Sequence, residues 1–340
     1  RDDALYLEKC SDGGYILYIH ITDIPSFVPF ESKVSKEAIR REESLYLRDN
    51  LVPMYPQYIS ENVCSLVTNE VRNALTMVIL IDENFNVMED KYKIIKSKVK
   101  VRHKLNHEEA DKTIMEGNTN LSDMLRNLFM ISIKRKNSDK SKEGYRKYES
   151  LFSDNESHES VKADKCLSAN IVQETMLLNN YLTSKYFKKK GYPFIYRFVL
   201  FTDEKLVRKQ LESLWDIDMS TLSKTEINNF KENLIKNMYV FNPEVHIGLN
   251  LDSYSHCGSP ARRAADTLCQ YLIYAFIFND FIYPELYTIW EDVLRVVIPY
   301  LNRRKEENEL FLQKYHPINI TENNETIIYL FRKHLPFSYG

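Results

Sequence analysis

Two pairs of strand-like runs, each joined by a short turn, constrain the fold of this chain most. Residues 5–23 hold two apolar runs separated by Ser11-Asp12-Gly13-Gly14, a turn sequence typical of a β-hairpin. Residues 75–81 and 87–100 flank the turn Asp82-Glu83-Asn84 in the same way. Strands joined by such short turns run antiparallel. The sequence therefore predicts two antiparallel hairpins.

Helical patterns alternate with the strand-like runs, so the predicted fold class is α+β. The predicted helices cover residues 106–115, 121–130, 171–186, 203–215, 221–237, 260–278 and 293–313. Further short strands are predicted at residues 194–201, 245–251 and 326–331.

One polar segment interrupts these patterns. Residues 134–165 contain almost no large aliphatic side chains and are dense in Ser, Lys, Asp, Glu and Asn. Such a segment buries too little apolar surface to offset its ordering entropy, so we predict a polar loop or partly disordered insertion. We expect one main domain over residues 1–310, with residues 311–340 as a C-terminal extension that begins a further β module.

Cysteine usage and hydropathy indicate a soluble intracellular protein, cytoplasmic or organellar. The five cysteines are scattered and form no CxxC pair, which argues against a disulfide framework. The longest apolar runs are too short to span a bilayer, and no signal-peptide pattern opens the chain, so we expect no membrane partner. The chain starts with Arg rather than Met, which we interpret as a fragment or a processed product.

Charge is segregated along the chain although the net charge is only −2. Residues 96–104 read KSKVKVRHK, residues 134–147 are rich in Lys and Arg, and residues 188–190 are three lysines. A locally basic groove in a neutral protein can follow a phosphate backbone, and the 23 tyrosines offer stacking surfaces. The alternatives are solvated basic faces and a compositional bias toward Tyr.

The adjacent carboxylates of Asp2 and Asp3 lie at the mouth of the first strand-like run. Magnesium prefers hard oxygen ligands and is usually held by one or two carboxylates together with substrate phosphate oxygens. The pair is therefore a candidate Mg²⁺ site. The alternative is a solvated turn or a helix cap.

The segment Ser259-Pro260-Ala261-Arg262-Arg263 has the signature of a helix start, with Ser as N-cap and Pro in the first turn. A helix N-terminus attracts anions, and guanidinium groups bind phosphate oxygens in a bidentate way. The segment therefore predicts a phosphate site. The alternative is a purely structural pair between Arg262 and Asp266.

Other catalytic patterns are excluded. The sequence HEEAD at residues 107–111 lacks the second His of a metalloprotease helix, and no GxSxG, Walker or dinucleotide fingerprint occurs. With eight glycines, a glycine-loop nucleotide site is not expected. His20 and His103, taken alone, are most simply satisfied polar residues.

Several short motifs follow one another in order. They are Asp2-Asp3-Ala4, His20-Ile21-Thr22-Asp23, Leu45-Tyr46-Leu47, Val52-Pro53-Met54-Tyr55-Pro56, Val63-Cys64-Ser65-Leu66, the helix that contains Glu174, His246-Ile247-Gly248-Leu249, Gly258-Ser259-Pro260-Ala261-Arg262-Arg263 and Leu301-Asn302-Arg303-Arg304. In this order and at this spacing they resemble the catalytic RNB domain of the ribonuclease II and ribonuclease R exoribonucleases. The resemblance extends over residues 1 to about 310 and implies an antiparallel sheet or barrel surrounded by helices, with a narrow RNA channel.

The resemblance implies hydrolytic 3′→5′ degradation of single-stranded RNA to nucleoside 5′-monophosphates, with Mg²⁺, or Mn²⁺ in its place. Asp2 and Asp3 would be catalytic metal ligands, and two metals about 4 Å apart would activate water and stabilise the leaving oxygen. Arg262 would clamp the scissile phosphate. The substrate-binding residues implied by the resemblance are Tyr46 at the sugar or base, His103 stacking on the terminal base, Glu174 at a 2′-hydroxyl, and Ser259 and Arg263 at phosphates.

The sequence leaves two alternatives open. The first is a degenerate RNB domain that acts as an RNA-binding or scaffold subunit of a larger RNA-processing complex. The family's acidic cluster has further aspartates before the pair, so two properly spaced aspartates encoded upstream of Arg1 would favour the enzyme, and their absence the scaffold. The second alternative is an unrelated α+β protein, in which Asp2, Asp3, Glu174 and Arg262 would not converge on one cavity.

Overall fold

A four-stranded antiparallel sheet forms the centre of the computed structural model, which describes residues 2–47, 50–137, 166–201, 203, 205–206, 209, 234–246 and 249–315. The strand order is β1-β2-β5-β6. The four strands are β1 (Asp3–Lys9), β2 (Tyr15–Thr22), β5 (Val71–Ile81) and β6 (Val87–Lys100). Both predicted hairpins are confirmed. Within the described ranges this sheet is open, with β1 and β6 at its edges.

Local hydrogen bonds close both hairpin turns and so fix the register of the strands. Asp12 Oδ1 accepts a hydrogen bond from the backbone N–H of Gly14 at 3.1 Å, and Gly13 has a φ of +91°, which glycine adopts without strain. In the second turn, Asp82 Oδ1 accepts from the backbone N–H groups of Asn84 and Asn86, at 2.9 and 2.8 Å. The pairing of β2 with β5 places the buried residues of β2 on the face of the sheet that packs against helices.

Six helices and two small antiparallel pairs of strands complete the described structure. The helices are α1 (Lys33–Arg41), α2 (His107–Glu116), α3 (Asn120–Asn137), α4 (Leu167–Lys190), α5 (Ala264–Phe276) and α6 (Pro284–Tyr315). The strand pairs are β3 (Leu45–Leu47) with β4 (Asn50–Val52), and β7 (Tyr196–Phe201) with β8 (Leu234–Val240). A π-helical turn, Tyr58–Val63, follows β4. The predicted α+β class is confirmed.

Three predicted elements differ from the structure. The predicted helix at residues 221–237 is wrong at its end, because residues 234–237 pair with β7 as part of β8, and cross-strand contacts outweigh a helical period. Of the predicted strand at residues 245–251, the described residues form one bridge, between His246 and Leu251, and residues 247–248 lie outside them. The predicted helix at residues 260–278 begins later, at Ala264.

The predicted polar insertion and the predicted domain ends remain predictions, since residues 138–165 and 316–340 lie outside the described residues. Residues 134–137 of the predicted polar loop belong to α3, whereas residues 138–165 lie outside the described residues. Helix α6 continues past the predicted boundary at residue 310 and ends at Tyr315. The predicted helix at residues 203–215 falls mostly outside the described residues, and the predicted strand at residues 326–331 falls entirely outside them.

Two hydrophobic cores meet at α4. The first packs the sheet against α3 and α4 and contains Leu17, Ile79, Leu128 and Leu178. The second joins the C-terminal end of α4, at Phe187, to β7, α5 and α6. Because α4 contributes to both cores, its buried residues surround the helix rather than forming one stripe. No helix within the described ranges is long and apolar enough to cross a lipid bilayer.

Candidate functional site

A cavity of about 860 Å³ lies between the sheet and helices α2 to α4. Its polar lining comes from the start of β1, from β2 and from the end of β6, and includes Asp3, His20, Lys98, Lys100 and His103. Leu121, Leu125 and Ile171 contribute an apolar wall. A concave site of this size, mostly apolar and with a few convergent polar groups, is typical of a ligand-binding site.

Helix α2 fixes the far wall of the cavity by holding the start of α4. The carboxylate of Asp111 accepts hydrogen bonds from the backbone N–H groups of Leu167 and Ser168, at 3.1 and 2.7 Å. His107 Nδ1 lies 3.0 Å from Ser168 Oγ. At the start of α2 itself, Asn106 and Glu109 form a capping box. The wall is therefore set by side chains close to the cavity rather than by distant packing.

The wall formed by the end of β6 is basic and exposed. Lys98, Lys100, Arg102 and His103 are all exposed and line the cavity. In the part of the chain that the structure describes, Lys98, Lys100 and Arg102 form no ion pair. Exposed cations around a low-dielectric cleft raise the local concentration of anions. The sequence indicates this basic wall through the run of basic residues at 96–104. The motif resemblance, however, assigns a role only to His103 within that run.

His20 also lines the cavity. From the sequence alone, we expect its ring to be hydrogen-bonded within the protein rather than to bind a ligand. Its Nδ1 lies 2.8 Å from Thr76 Oγ1, which confirms that expectation. Burial lowers the pKa of His20 to about 4, so the imidazole is neutral at pH 7. His20 therefore contributes hydrogen-bonding groups to the cavity without adding charge.

Asp2 and Asp3 have different surroundings, although they are adjacent in sequence. Asp3 belongs to β1, opposite Ile21, and lines the cavity. The backbone carbonyl of Asp2 accepts from the N–H of Thr22 at 2.7 Å. Burial raises the pKa of Asp2 to about 6, and Asp266 and Asp3 add to this shift while Arg262 opposes it. Asp2 is thus close to the Arg262 segment, and Asp3 belongs to the cavity.

The predicted helix start at Ser259-Pro260 is wrong. Residues 260–262 form a turn, in which the carbonyl of Ser259 accepts from the N–H groups of Arg262 and Arg263, at 3.2 and 3.1 Å. Helix α5 starts at Ala264, with Arg263 as its N-cap. The N–H of Ser259 donates to Asp266 Oδ1 at 2.7 Å, and the N–H of Ala264 donates to the carbonyl of Glu42 at 2.7 Å. These N–H groups are engaged within the protein, so the expected helix N-terminal phosphate site is not formed at Ser259.

The two arginines of this turn have separate environments. Arg263 Nη2 lies 2.8 Å from Asp266 Oδ1, and the Asp266 side chain is fully buried. The alternative expectation, that Arg262 pairs with Asp266, is therefore wrong, because Arg263 takes that place. Arg262 is exposed, and its backbone carbonyl accepts from the N–H of Ser44 at 2.9 Å. The guanidinium of Arg262 is thus better placed than that of Arg263 to meet a phosphate.

Tyr46 lies in β3, two residues beyond the backbone bond that joins Ser44 to Arg262. Its side chain is 58% exposed. Tyr46, Arg262 and Asp2 therefore belong to one region of the molecule, next to the start of β1. The structure brings this region and the cavity together at the Asp2–Asp3 step of the chain.

Glu174 lies on the face of α4 that packs toward α3. Its side chain is 3% exposed, and its Oε2 lies 3.6 Å from Nε of Arg135. Its helical neighbours Ile171 and Leu178 belong to the core against the sheet. Glu174 is therefore buried, and an arginine is its charged neighbour.

Carboxylate oxygens suit Mg²⁺, so Asp3 on the cavity wall fits as one ligand of a magnesium ion that is also held by substrate phosphate oxygens. Asp2, one residue away, offers a second carboxylate near Arg262. Over the described ranges, no group of three or more His, Cys, Asp or Glu side chains is arranged to hold a metal ion. Asp2 and Asp3 are thus the described residues that would hold such an ion.

Comparisons with known proteins agree with this architecture. The RNB domain family model matches residues 1–279. The curated ribonuclease R 2 of Lactococcus lactis is 27% identical over 311 residues, which cover 81% of this chain and 46% of that protein. The chain spans about half the length of the curated relatives it matches.

Solved structures resemble the fold at low sequence identity. Ribonuclease R of Mycoplasma genitalium, in complex with ribose-methylated single-stranded RNA, has a TM-score of 0.70 at 18% identity, covering 90% of this chain and 53% of that one. Yeast Ssd1, described as a pseudonuclease, has a TM-score of 0.69 at 20% identity, covering 90% of this chain and 41% of that one. At such identities the likeness establishes the fold alone.

Proposed function

Because this chain belongs to the RNB domain family of exoribonucleases, we propose that it degrades single-stranded RNA hydrolytically from the 3′ end and releases nucleoside 5′-monophosphates. The observation that carries the proposal is the cavity of about 860 Å³, which is lined by Asp3 together with Lys98, Lys100 and Arg102. A carboxylate and several exposed cations in one cleft suit a phosphodiester together with a divalent metal.

Each part of the site would have a separate task. Lys98 and Lys100 would hold the phosphates of the strand, and the imidazole of His103 would stack on a base near the 3′ end. The exposed guanidinium of Arg262 would clamp the scissile phosphate and counter the charge that develops on it. Tyr46, on the adjacent hairpin, would contact the sugar or base. Ser259 and Arg263 would support Arg262 through the turn rather than contact the substrate directly.

Asp3 would hold Mg²⁺, or Mn²⁺ in its place, with Asp2 as the second carboxylate. When bound, such an ion polarises a phosphoryl oxygen and lowers the pKa of a coordinated water. The motif resemblance implies that Glu174 accepts a hydrogen bond from a 2′-hydroxyl. Its burial beside Arg135 favours a positioning role for α4 instead.

The test is mononucleotide release from a 3′-tailed RNA by the full-length protein in Mg²⁺, with RNA binding measured in parallel. Asp3→Asn is expected to abolish release while binding persists, because it removes the metal ligand and keeps the side-chain volume. Asp2→Asn is expected to do the same. Asp90→Asn is the matched control, since that side chain is 86% exposed on β6 and should leave release unchanged. Equal release by Asp3→Asn and the unaltered protein would refute the proposed role of the cavity.

A second candidate function is RNA binding without hydrolysis, as a scaffold subunit of an RNA-processing complex. The occurrence of the same fold in a pseudonuclease means that the fold alone does not decide between the two functions. Intact RNA binding with no release by the unaltered protein would establish this alternative. Two properly spaced aspartates encoded before Arg1 would argue against it.

A further inference from the structure

We infer that an aromatic groove beside Lys96 is a second binding site for unpaired RNA, outside the cavity, which receives the strand upstream of its 3′ end. The groove has a volume of about 440 Å³ and is lined by Pro25, Phe30, Tyr271, Tyr274, Ala275, Phe278, Asn279 and Trp290. This inference rests on the proposed function, because it assumes that a single strand enters the cavity. The groove would add a second contact region to the one at the cavity.

The rings of the groove are held firmly from below. Tyr271 and Trp290 are 4% and 7% exposed and form its floor. The hydroxyl of Tyr271 donates to the carbonyl of Val28, and that of Tyr274 donates to Asp23 Oδ2, each at 2.7 Å. The ring centroids of Phe30 and Trp290 are 4.8 Å apart. Fixed rings lose little entropy on binding, which suits them to stack on bases.

The half-buried rings of Phe30, Tyr274 and Phe278 form the open part of the groove. Tyr274 and Phe278 meet edge to face, with centroids 5.6 Å apart. Lys96 Nζ lies 4.0 Å from the centre of the Tyr274 ring and 4.9 Å from that of Phe278. Lys96 is exposed, and its ammonium group is held over these aromatic rings. An aromatic surface with a fixed cation beside it matches a base with its phosphate.

A series of lysines on β6 leads from the side of the groove to the cavity. Lys96, Lys98 and Lys100 alternate along the strand, so their side chains leave the same face of the sheet. Successive members of this series are about 7 Å apart along the strand. Lys96 borders the groove, whereas Lys98 and Lys100 line the cavity. A strand of RNA whose 3′ end lies in the cavity would meet Lys96 next.

Two alternative roles for the lysines and the groove fit the structure less well. Lysines on an edge strand protect it from pairing with other chains, but that role requires no aromatic partner for Lys96. An aromatic groove can also bind a proline-rich peptide. Such a peptide carries no phosphates, so Lys96, Lys98 and Lys100 would have no negatively charged groups of the ligand to bind. Charge complementarity therefore favours RNA.

The experiment measures binding to the full-length protein in EDTA, which prevents metal-dependent cleavage. The probes are oligouridylates of about 4 and about 12 nucleotides, so that only the longer one can reach both sites. Lys96→Gln removes the charge, and Phe278→Leu removes the ring while keeping apolar volume. The matched controls are Lys91→Gln, on the same strand, and Phe281→Leu, an 80% exposed ring that does not line the groove.

The short probe should bind all variants equally. The long probe should bind about 5- to 50-fold more weakly to Phe278→Leu, because one stacked base is lost. Lys96→Gln should weaken it about 3- to 10-fold and reduce the slope of log Kd against log salt by about 0.7, as expected for one lost phosphate contact on a single strand. Neither control variant should change the affinity of either probe.

Three results would overturn the inference. Unchanged affinity of both groove variants for the long probe, with both probes bound, would overturn it and leave the proposed function intact. Failure of the unaltered protein to bind either probe would overturn both. Binding of a proline-rich peptide that depends on Phe278, without any effect of Phe278→Leu on RNA affinity, would assign the groove to a protein partner.

Discussion

The cavity wall and the junction between α1, α5 and α6 both contain ionisable side chains, but these side chains are exposed at the wall and buried at the junction. At the cavity, Lys98, Lys100 and Arg102 are exposed. At the junction, by contrast, the side chains of Glu42, Asp266 and Arg304 are buried and hydrogen-bonded to protein partners. Desolvated charges must be matched by partners, whereas exposed ones remain available to a ligand. Substitutions at the junction should therefore reduce stability, and substitutions at the cavity should reduce function.

The adjacent residues Arg262 and Arg263 give the sharpest form of this comparison. Arg263→Met removes the partner of a fully buried carboxylate, that of Asp266. We expect the free energy of unfolding to fall by about 3–5 kcal/mol, because an uncompensated charge remains in the interior. Arg262→Met alters an exposed side chain and should change that free energy by less than about 0.5 kcal/mol. Urea unfolding of both variants measures the difference.

Activity should show the opposite order. Arg262→Met is expected to slow mononucleotide release by about 10²- to 10³-fold, the usual effect of losing one preorganised charge at the reacting phosphate. Equal losses of stability in the two variants would show that the two arginines share one environment and would remove the basis of the comparison.

A substitution of Glu174 distinguishes two roles for this residue. The motif resemblance implies that it binds the substrate, whereas its burial indicates that it stabilises the interior. Glu174→Gln keeps the shape but removes the charge beside Arg135. We expect a loss of about 1–3 kcal/mol in the free energy of unfolding, because Arg135 is only 12% exposed and loses a charged partner. The ratio of RNA to DNA affinity should not change. A lowered ratio at unchanged stability would instead support the 2′-hydroxyl role.

The junction also predicts a dependence of stability on pH. Burial, together with Glu43, raises the pKa of Glu42 to about 8 from an ordinary value of 4.5, although Lys305 opposes the shift. Between these two pH values the folded state binds more protons than the unfolded state, so stability falls as pH rises from about 5 to about 8. Glu42→Gln should reduce this fall by about 1–2 kcal/mol, measured by urea unfolding at both pH values.

The control for this prediction is Glu61→Gln, which changes the net charge equally at an exposed position. Its stability should vary with pH as in the unaltered protein. A fall of stability that is as steep in Glu42→Gln as in the unaltered protein would mean that Glu42 is already ionised in the folded state near pH 5.

Local signals in the sequence predict much of the fold. The turns at Asp12-Gly13-Gly14 and at Asp82 determine the two hairpins within a few residues, so the order β1-β2 and β5-β6 is accessible from the sequence. Apolar residues at helical spacing likewise locate α2, α3, α4 and α6, although the buried residues of α4 surround the helix. The pairing of β2 with β5 connects residues about 60 positions apart, and no local pattern specifies it. It follows from tertiary packing.

The sequence predicts which residues belong to the site, but not which residues each of them contacts. Motifs identify the acidic pair, Tyr46 and Arg262, yet only the structure separates Asp3 from Asp2 and Arg262 from Arg263. The start of α5 differs from its predicted position because Asp266, three residues into the helix, accepts from Ser259 and pairs with Arg263. A carboxylate that reaches back in this way replaces the expected Ser cap. Such reciprocal contacts depend on side-chain positions that a one-dimensional pattern does not contain.

The smallest expected effect is at His103, where a substitution should change ligand binding without changing the stability of the fold. The imidazole of His103 offers less area for stacking on a base than the phenol ring of tyrosine. His103→Tyr should therefore tighten binding of a short oligouridylate by about 1 kcal/mol or less, roughly up to fivefold. Because the side chain is exposed, the free energy of unfolding should remain within about 0.5 kcal/mol of the unaltered value. Fluorescence anisotropy and urea unfolding measure the two quantities. A variant that is destabilised without binding RNA more tightly would place His103 with the structural residues instead, and the cavity would lose its stacking partner.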